Sequence, residues 1–191
     1  MLINRNIYFV HIPRTGGRFI RDIMALNFNC EHNDIDHYRG KEVHHLTYPE
    51  HEQFLNYTLV KKFSVIRDPI DRFINSILNY NKINNEKFQK MMKSQETFDE
   101  TVNNIILNDR SNWFVPQTNF IDYKTLLWRF ENKFNNHFVK WFLDNFKLEI
   151  TKLKEKNDMH TITSDIKIDL NEKQKQFIKN YYYKDYKLLD Y

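Results

Sequence analysis

Two adjacent glycines, Gly16 and Gly17, constrain what this chain can fold into more than any other feature. At the usual ~7% a chain of this length would carry about 13 glycines, yet there are three in 191 residues. A chain so poor in glycine places a pair where the backbone needs one. Just before the pair, Ile7 to Ile12 is a run of apolar, β-branched and aromatic residues closed by Pro13, which reads as a buried strand and a turn. Just after it, Phe19, Ile20, Ile23, Met24 and Phe28 recur near helical spacing, with Arg18, Arg21 and Asp22 between them. The spacing predicts a helix starting at Gly17, so the unit is strand, tight loop, helix.

A second copy of this grammar follows. Phe63 to Arg67 reads as a strand, Asp68-Pro69 as the turn, and Ile70, Phe73, Ile74, Ile77 and Leu78 as the apolar stripe of a helix whose other face carries Arg72, Asn75, Ser76 and Asn79. Strands that are continuous apolar runs and alternate with helices predict an α/β fold. The expected architecture is one domain over residues 1–191, three-layered, with a central mainly parallel sheet flanked by helices. Leu126 to Phe130 adds a third strand; further helices are expected at 84–108, from Phe134 to Phe146 and over 171–189. The stretch 31–56 is weakly periodic and reads as a connection ending in a short helix near 50–57, and Asn112 to Phe120 reads as a loop.

Composition narrows the function. At 41% hydrophobic and 28% charged residues, the chain has too much core material to be disordered and too much charge to be embedded in a membrane. No window approaches the ~18 uninterrupted apolar residues of a transmembrane helix, and the first residues lack a basic region leading into an apolar signal core. The single Cys30 cannot close an internal disulfide and fits a reducing compartment, so the expected location is cytoplasmic. A net charge of +4 does not demand a large nucleic-acid footprint. Its distribution says more: seven of the nine Arg and six of the eight His lie in the first 72 residues. Arg offers a planar, permanently charged fork suited to phosphate, which puts an anion site in the N-terminal third.

Three constellations carry chemistry. In His11 to Phe19, loop N–H groups and the positive end of a helix dipole make an anion cradle to which Arg14 and Arg18 add charge; the bland reading is a tight turn with two solvated arginines. The spacing is not that of the nucleoside-triphosphate loop, since the Lys-Ser/Thr pair that holds Mg²⁺ is absent. In Phe63 to Ser76, Arg67 stands at the carboxyl end of a strand, where open α/β sheets bind ligands, and Asn75 or Ser76 on the next helix can reach the same group. Here the bland reading is an Arg67-Asp71 or Asp68-Arg72 ion pair. In Val43 to Tyr48, His44 or His45 supplies an imidazole suited to taking a hydroxyl proton near neutral pH. The His32 to His37 stretch matches no defined metal spacing and reads as a solvated loop, while Tyr181 to Tyr183 and the Phe134 to Phe146 stripe read as packing.

Taken together, the chain resembles the sulfotransferases, in particular the carbohydrate branch related to heparan sulfate 2-O-sulfotransferases. That family's first loop, Pro-Lys-Thr-Gly-Gly-Thr-Ser, is matched at Pro13, Thr15, Gly16 and Gly17, and its second motif, Arg-Asp-Pro-x-x-Arg-x-x-Ser, at Arg67, Asp68, Pro69 and Arg72. The likeness extends through Trp113 to Gln117, Arg129 to Asn132 and Tyr183 to Tyr186. It implies a P-loop-like fold and sulfuryl transfer from 3′-phosphoadenosine-5′-phosphosulfate (PAPS) to a hydroxyl, on a carbohydrate, with no metal required; from the charge pattern and the missing apolar span, neither a nucleic acid nor a membrane is expected as a partner. By the same resemblance Arg14, Thr15, Gly16, Gly17 and Arg18 hold the 5′-phosphosulfate, and Arg67 with Asn75 or Ser76 holds the 3′-phosphate. His45 is the base, favoured over His44 by the His-x-x-Tyr pattern, with Arg14 assisting catalysis. Three departures stand out: Arg14 replaces the usual lysine, Arg18-Phe19 the Thr-Ser, and Asn75 the serine. The competing functions are a kinase-like phosphotransferase and a basic module binding nucleotide or nucleic acid.

Overall fold

A computed structural model of the chain describes residues 1–31, 37–38, 41–42, 45–54, 60–79, 90–153 and 169–191. In chain order these form β1 (Leu2–Ile3), β2 (Ile7–Val10), α1 (Gly17–Asn27), β3 (Cys30–Glu31), β4 (His37–Tyr38), β5 (Lys41–Glu42), α2 (Tyr48–Phe54), β6 (Lys61–Ile66), α3 (Pro69–Asn79) and α4 (Gln95–Asn108). After a 3₁₀ turn at Gln117–Asn119 come β7 (Leu126–Arg129), a second 3₁₀ turn at Phe130–Asn132, α5 (Asn136–Phe146), α6 (Glu172–Tyr181) and α7 (Tyr183–Leu189). His32 to Asp36, His44 and the first part of the helix expected at 84–108 lie outside the described residues.

The main sheet has the order β3-β1-β2-β6-β7. Its β2/β6 and β6/β7 pairs are parallel, while β1 runs antiparallel to both β2 and β3. The sheet is therefore mostly parallel with a mixed edge: β2, β6 and β7 form a three-stranded parallel part, and β1 alone runs the other way. That edge is made by a hairpin in which Asn4 and Arg5 both take positive φ, 45° and 60°, the backbone of a primed turn. Strands of two residues have no readable period, and the turn lacks the glycine that usually announces it.

Side chains alternate across the parallel strands as the pleat requires. Ile7 and Phe9 of β2 with Phe63 and Val65 of β6 pack on Ile20, Ile23 and Met24 of α1 and on Phe138, Phe142 and Phe146 of α5. Tyr8, Val10 and Ile66 point to the other face, against Phe120 and Leu189 of α7. Helical layers thus cover both faces. A third apolar cluster joins α3, α4 and α6 through Phe73, Ile77, Phe98, Val102, Ile178 and Tyr182. Among the described residues no helix is long and apolar enough to cross a membrane.

Local chemistry sets the helix ends. Asp68 accepts the N–H of Asp71 at 2.9 Å and so caps α3, with Pro69 at the first helical position where its missing N–H costs nothing. Ser94 and Asn171 start α4 and α6 with reciprocal capping boxes. The single helix expected over 171–189 is broken at Tyr182, whose ring is buried and whose hydroxyl donates to Phe114 O at 2.8 Å. The break lets the next helix turn Asp185 inward.

Arg72 is wholly buried, and it makes no cap with Asp68. Its Nε donates to Pro13 O at 2.9 Å, its Nη1 to Val115 O at 2.9 Å and its Nη2 to Trp113 O at 3.0 Å. One guanidinium ties the glycine loop, α3 and the 113–116 loop together. Arg72→Met, which fills the space but leaves Pro13 O and Val115 O without this donor and Trp113 O with the Ser76 hydroxyl alone, is expected to lower stability by about 3 to 5 kcal/mol. Urea unfolding measures it, and a loss below about 1 kcal/mol would show that water or rearrangement replaces the tie.

A second buried polar contact sets a pH limit. On α2, His51 lies at 3.4 Å from the Tyr8 hydroxyl, and burial lowers its pKa from the ordinary 6.5 to about 4. Between those values the unfolded chain takes up the proton first, so stability falls as pH drops from 6.5 towards 4. The expected loss from this group is on the order of 2 kcal/mol. Unfolding midpoints of the wild type and His51→Gln between pH 7 and 4.5 test it: the variant's pH slope should be the flatter.

Candidate active site

The carboxyl ends of β2 and β6 lie side by side, because Val10 pairs with Ser64 in parallel register. The chain leaving β2 makes the glycine loop, and the chain leaving β6 presents Arg67 and enters α3. Within the loop, Arg14 and Gly16 both take left-handed backbone, φ 68° and 94°. Thr15 between them is buried and donates to Ile12 O at 2.9 Å, closing the turn. Gly16 caps α1 without any side-chain hydrogen bond, which leaves the N–H groups of the first helical turn to face a ligand or water.

Each glycine has its own reason. Gly16 needs the positive φ, and a Cβ there would sit 3.0 Å from the Phe130 ring. Gly17 needs the space: a Cβ would fall 1.9 Å from Cδ2 of His11, whose ring lies against it. The pair is thus one conformational and one steric requirement.

Positive charge gathers at this loop. Arg14 donates from Nε to Asn75 Oδ1 at 2.7 Å and lies over the Trp113 ring, 5.1 Å from its centroid. Burial, then the charges of Arg67 and Arg18, bring the Arg14 pKa down from 12.5 to about 10, so it remains a cation at neutral pH. Arg67 reaches Arg14 O from Nη1 at 3.4 Å and lies over the Phe130 ring at 4.5 Å; burial lowers its pKa too, although Asp71, Glu131 and Asp68 act in the opposite sense. Arg18, on the first turn of α1, is exposed. Like charges held together in a half-buried place favour an anion between them.

The two candidates on α3 part company. Asn75 faces Arg14, whereas Ser76 is wholly buried and donates to Arg72 O at 2.9 Å and Trp113 O at 3.2 Å. One residue step on a helix is about 100°, enough to send neighbours to different partners. Ser76 therefore fastens the 113–116 loop, away from the Arg14 side.

His45 is also brought here. It is buried, its carbonyl accepts Asn112 Nδ2 at 2.9 Å, and its ring meets that of His11 edge-on with centroids 5.0 Å apart. Since His11 lies on Gly17, His45 stands one ring away from the glycine loop. Reading the sequence alone missed His11 as the wall of the loop, Trp113 as the surface beneath Arg14, and Gln117, which pairs with the peptide of Arg67. The likeness of Trp113 to Gln117 to the family pattern was the signal that could have found the last two. A groove elsewhere is lined by Asp68, Ile70, Lys179, Tyr183, Tyr186 and Tyr191, and includes neither Arg14 nor His45. Among the described residues no cluster of three or more His, Cys, Asp or Glu side chains could hold a metal.

Gly17→Ala is expected to cost about 2 to 3 kcal/mol of stability through the collision with His11. In a His11→Ala background the same change should cost less than about 1 kcal/mol. Denaturation of the four proteins in this cycle checks it, and equal costs in both backgrounds would mean that the backbone alone demands the glycine.

The model of the sulfotransferase family matches the chain over residues 3–191. No curated protein and no solved structure matches the chain.

Proposed function

Because the chain belongs to the sulfotransferase family, we propose that it moves a sulfuryl group from 3′-phosphoadenosine-5′-phosphosulfate to a hydroxyl on a carbohydrate. The observation that carries this reading is the convergence of Arg14 and Arg67 on a loop of left-handed backbone at the start of α1, with His45 alongside. A loop of left-handed backbone at a helix start and two crowded guanidiniums fit a ligand with phosphates at two places. The loop N–H groups, Thr15, Gly16, Gly17, Arg14 and the exposed Arg18 hold the 5′-phosphosulfate in this reading, and Arg67 holds the 3′-phosphate. Asn75 supplies an accessory amide. Ser76 drops out of the ligand set because its hydroxyl is spent on two carbonyls.

His45 takes the proton of the acceptor hydroxyl as its oxygen forms the new bond to sulfur. The sulfur–oxygen bond to the 5′-phosphate breaks on the opposite side, and the bond's electron pair stays with that phosphate. Arg14 and the loop amides stabilise the charge that collects there. Arg14 acts as a fixed cation only, since even at about 10 its pKa keeps the proton on through a turnover at neutral pH.

Calorimetric titration without metal tests the donor site. The 3′,5′-bisphosphate product should bind better than adenosine-5′-phosphate, and Arg67→Ala should weaken the bisphosphate by about 1.5 to 3 kcal/mol while hardly affecting the monophosphate. Asn75→Ala should weaken it by less, and Ser76→Ala should act on stability instead. Preference for ATP with Mg²⁺ would replace this reading by phosphoryl transfer. With a carbohydrate acceptor in hand, His45→Ala should lower turnover about 10²- to 10⁴-fold with donor affinity kept; full turnover would remove His45 from the role of base.

A further inference from the structure

Apart from Trp113 beneath Arg14, two stretches singled out in the sequence, Trp113 to Gln117 and Tyr183 to Tyr186, are given no role in nucleotide binding above. Their side chains meet in one hydrogen-bonded chain that ends on Arg67. Asp185 of α7 is wholly buried; its Oδ2 accepts the N–H of Gln117 at 2.8 Å, and its Oδ1 accepts both the N–H and the hydroxyl of Thr118 at 3.0 Å. A carboxylate distant in sequence thereby caps the 3₁₀ turn at Gln117–Asn119, where the preceding residue, Pro116, makes no side-chain cap. The turn in its place aims Gln117, also wholly buried, at the end of β6. There Oε1 accepts the N–H of Arg67 at 2.9 Å and Nε2 donates to its carbonyl at 2.8 Å.

The Gln117 amide thus mimics one more peptide in the ladder, one residue beyond the last paired residue of β6. Its target is the first residue past the strand, where backbone usually begins to relax. A guanidinium hangs from its Cα by several rotatable bonds, so a fixed approach to a phosphate needs a fixed Cα as well as packing along the side chain. Phe130 supplies the packing at 4.5 Å, and Gln117 holds both main-chain groups. We infer that Gln117 and Asp185 are positioning residues for nucleotide recognition: Asp185 sets the turn, the turn sets Gln117, and Gln117 sets Arg67 towards the 3′-phosphate. This rests on the assignment of Arg67 proposed above.

The test compares affinities for 3′-phosphoadenosine-5′-phosphate and adenosine-5′-phosphate, because a change that only loosens the fold weakens both. Gln117→Met keeps the volume and removes both hydrogen bonds. It should weaken the bisphosphate about 10-fold and the monophosphate less than about twofold. Asp185→Asn, which turns one acceptor into a donor facing the Gln117 N–H, should act in the same direction; if it fails to fold, Gln117→Met alone decides the matter. In an Arg67→Ala background Gln117→Met should change nothing further. Equal weakening of both nucleotides, or a loss that adds fully to that of Arg67→Ala, overturns the relay. If Arg67→Ala shifts the ratio of the two affinities and Gln117→Met does not, the relay alone falls. An unchanged ratio in Arg67→Ala removes the 3′-phosphate assignment itself, and the relay with it.

Discussion

Three main-chain carbonyls, those of Pro13, Trp113 and Val115, converge on the guanidinium of Arg72, and the geometry of the site depends on that convergence. Pro13 opens the glycine loop, and Trp113 and Val115 belong to the loop that leads to Gln117. Without a donor at their centre, the Pro13 and Val115 carbonyls would have to reach water, and only the Ser76 hydroxyl would still hold Trp113 O. Arg72 suits the task because its five donors lie in one plane and point in different directions, which no lysine could match. Ser76, one turn further along α3, adds a second attachment to Trp113 O. The face of α3 that carries Arg72 and Ser76 therefore serves construction, whereas Asn75 turns to Arg14.

Arginines here divide by environment. Arg72 is buried among carbonyls, and each of its three nitrogens donates to one of them. Arg14 and Arg67 are held half-buried against aromatic rings, close enough for the charge of Arg67 to weaken the hold of Arg14 on its proton. Two guanidiniums so close repel each other, and the main chain around them is held by contacts elsewhere: the Arg72 tie, the Gln117 grip on the Arg67 main chain, and Glu131, whose Oε1 accepts the Asp68 N–H at 2.6 Å. The C-terminal helix contributes to the same end. Asp185 is 0% exposed and faces the 3₁₀ turn, while Arg129 of β7 donates to Leu189 O and Asp190 O and so ties down the end of the chain.

Particular elements show why some of this was legible in the sequence. The two strand-loop-helix units are legible because both pleat faces of β2 and β6 are covered, which writes a continuous apolar run, and because a helix against a sheet writes a stripe. The antiparallel edge is not, since β1 and β3 span two residues each and their hairpin turns on Asn4 and Arg5 instead of a glycine. The expected 171–189 helix was legible as a stripe but not as two pieces. Tyr182 keeps the helical spacing while its hydroxyl leaves to bond Phe114 O, a partner 68 residues away.

By itself the sequence determined the α/β class, the place of the glycine loop at the end of a strand, and the family pattern of Arg67, Asp68, Pro69 and Arg72. Those follow from local spacing, which neighbouring residues share whatever the rest of the chain does. Only the tertiary structure decided which arginine faces the site and which builds it, why Gly17 must lack a side chain, and that Asn75 rather than Ser76 meets Arg14. Each of those outcomes depends on an atom that spacing along one element does not place: a carbonyl of the 113–116 loop, the ring of His11 folded against the loop that follows it, the guanidinium of Arg14. Residue type and spacing cannot encode which of several possible partners a folded chain will bring within 3 Å, and hydrogen bonds and steric contacts act only at that range.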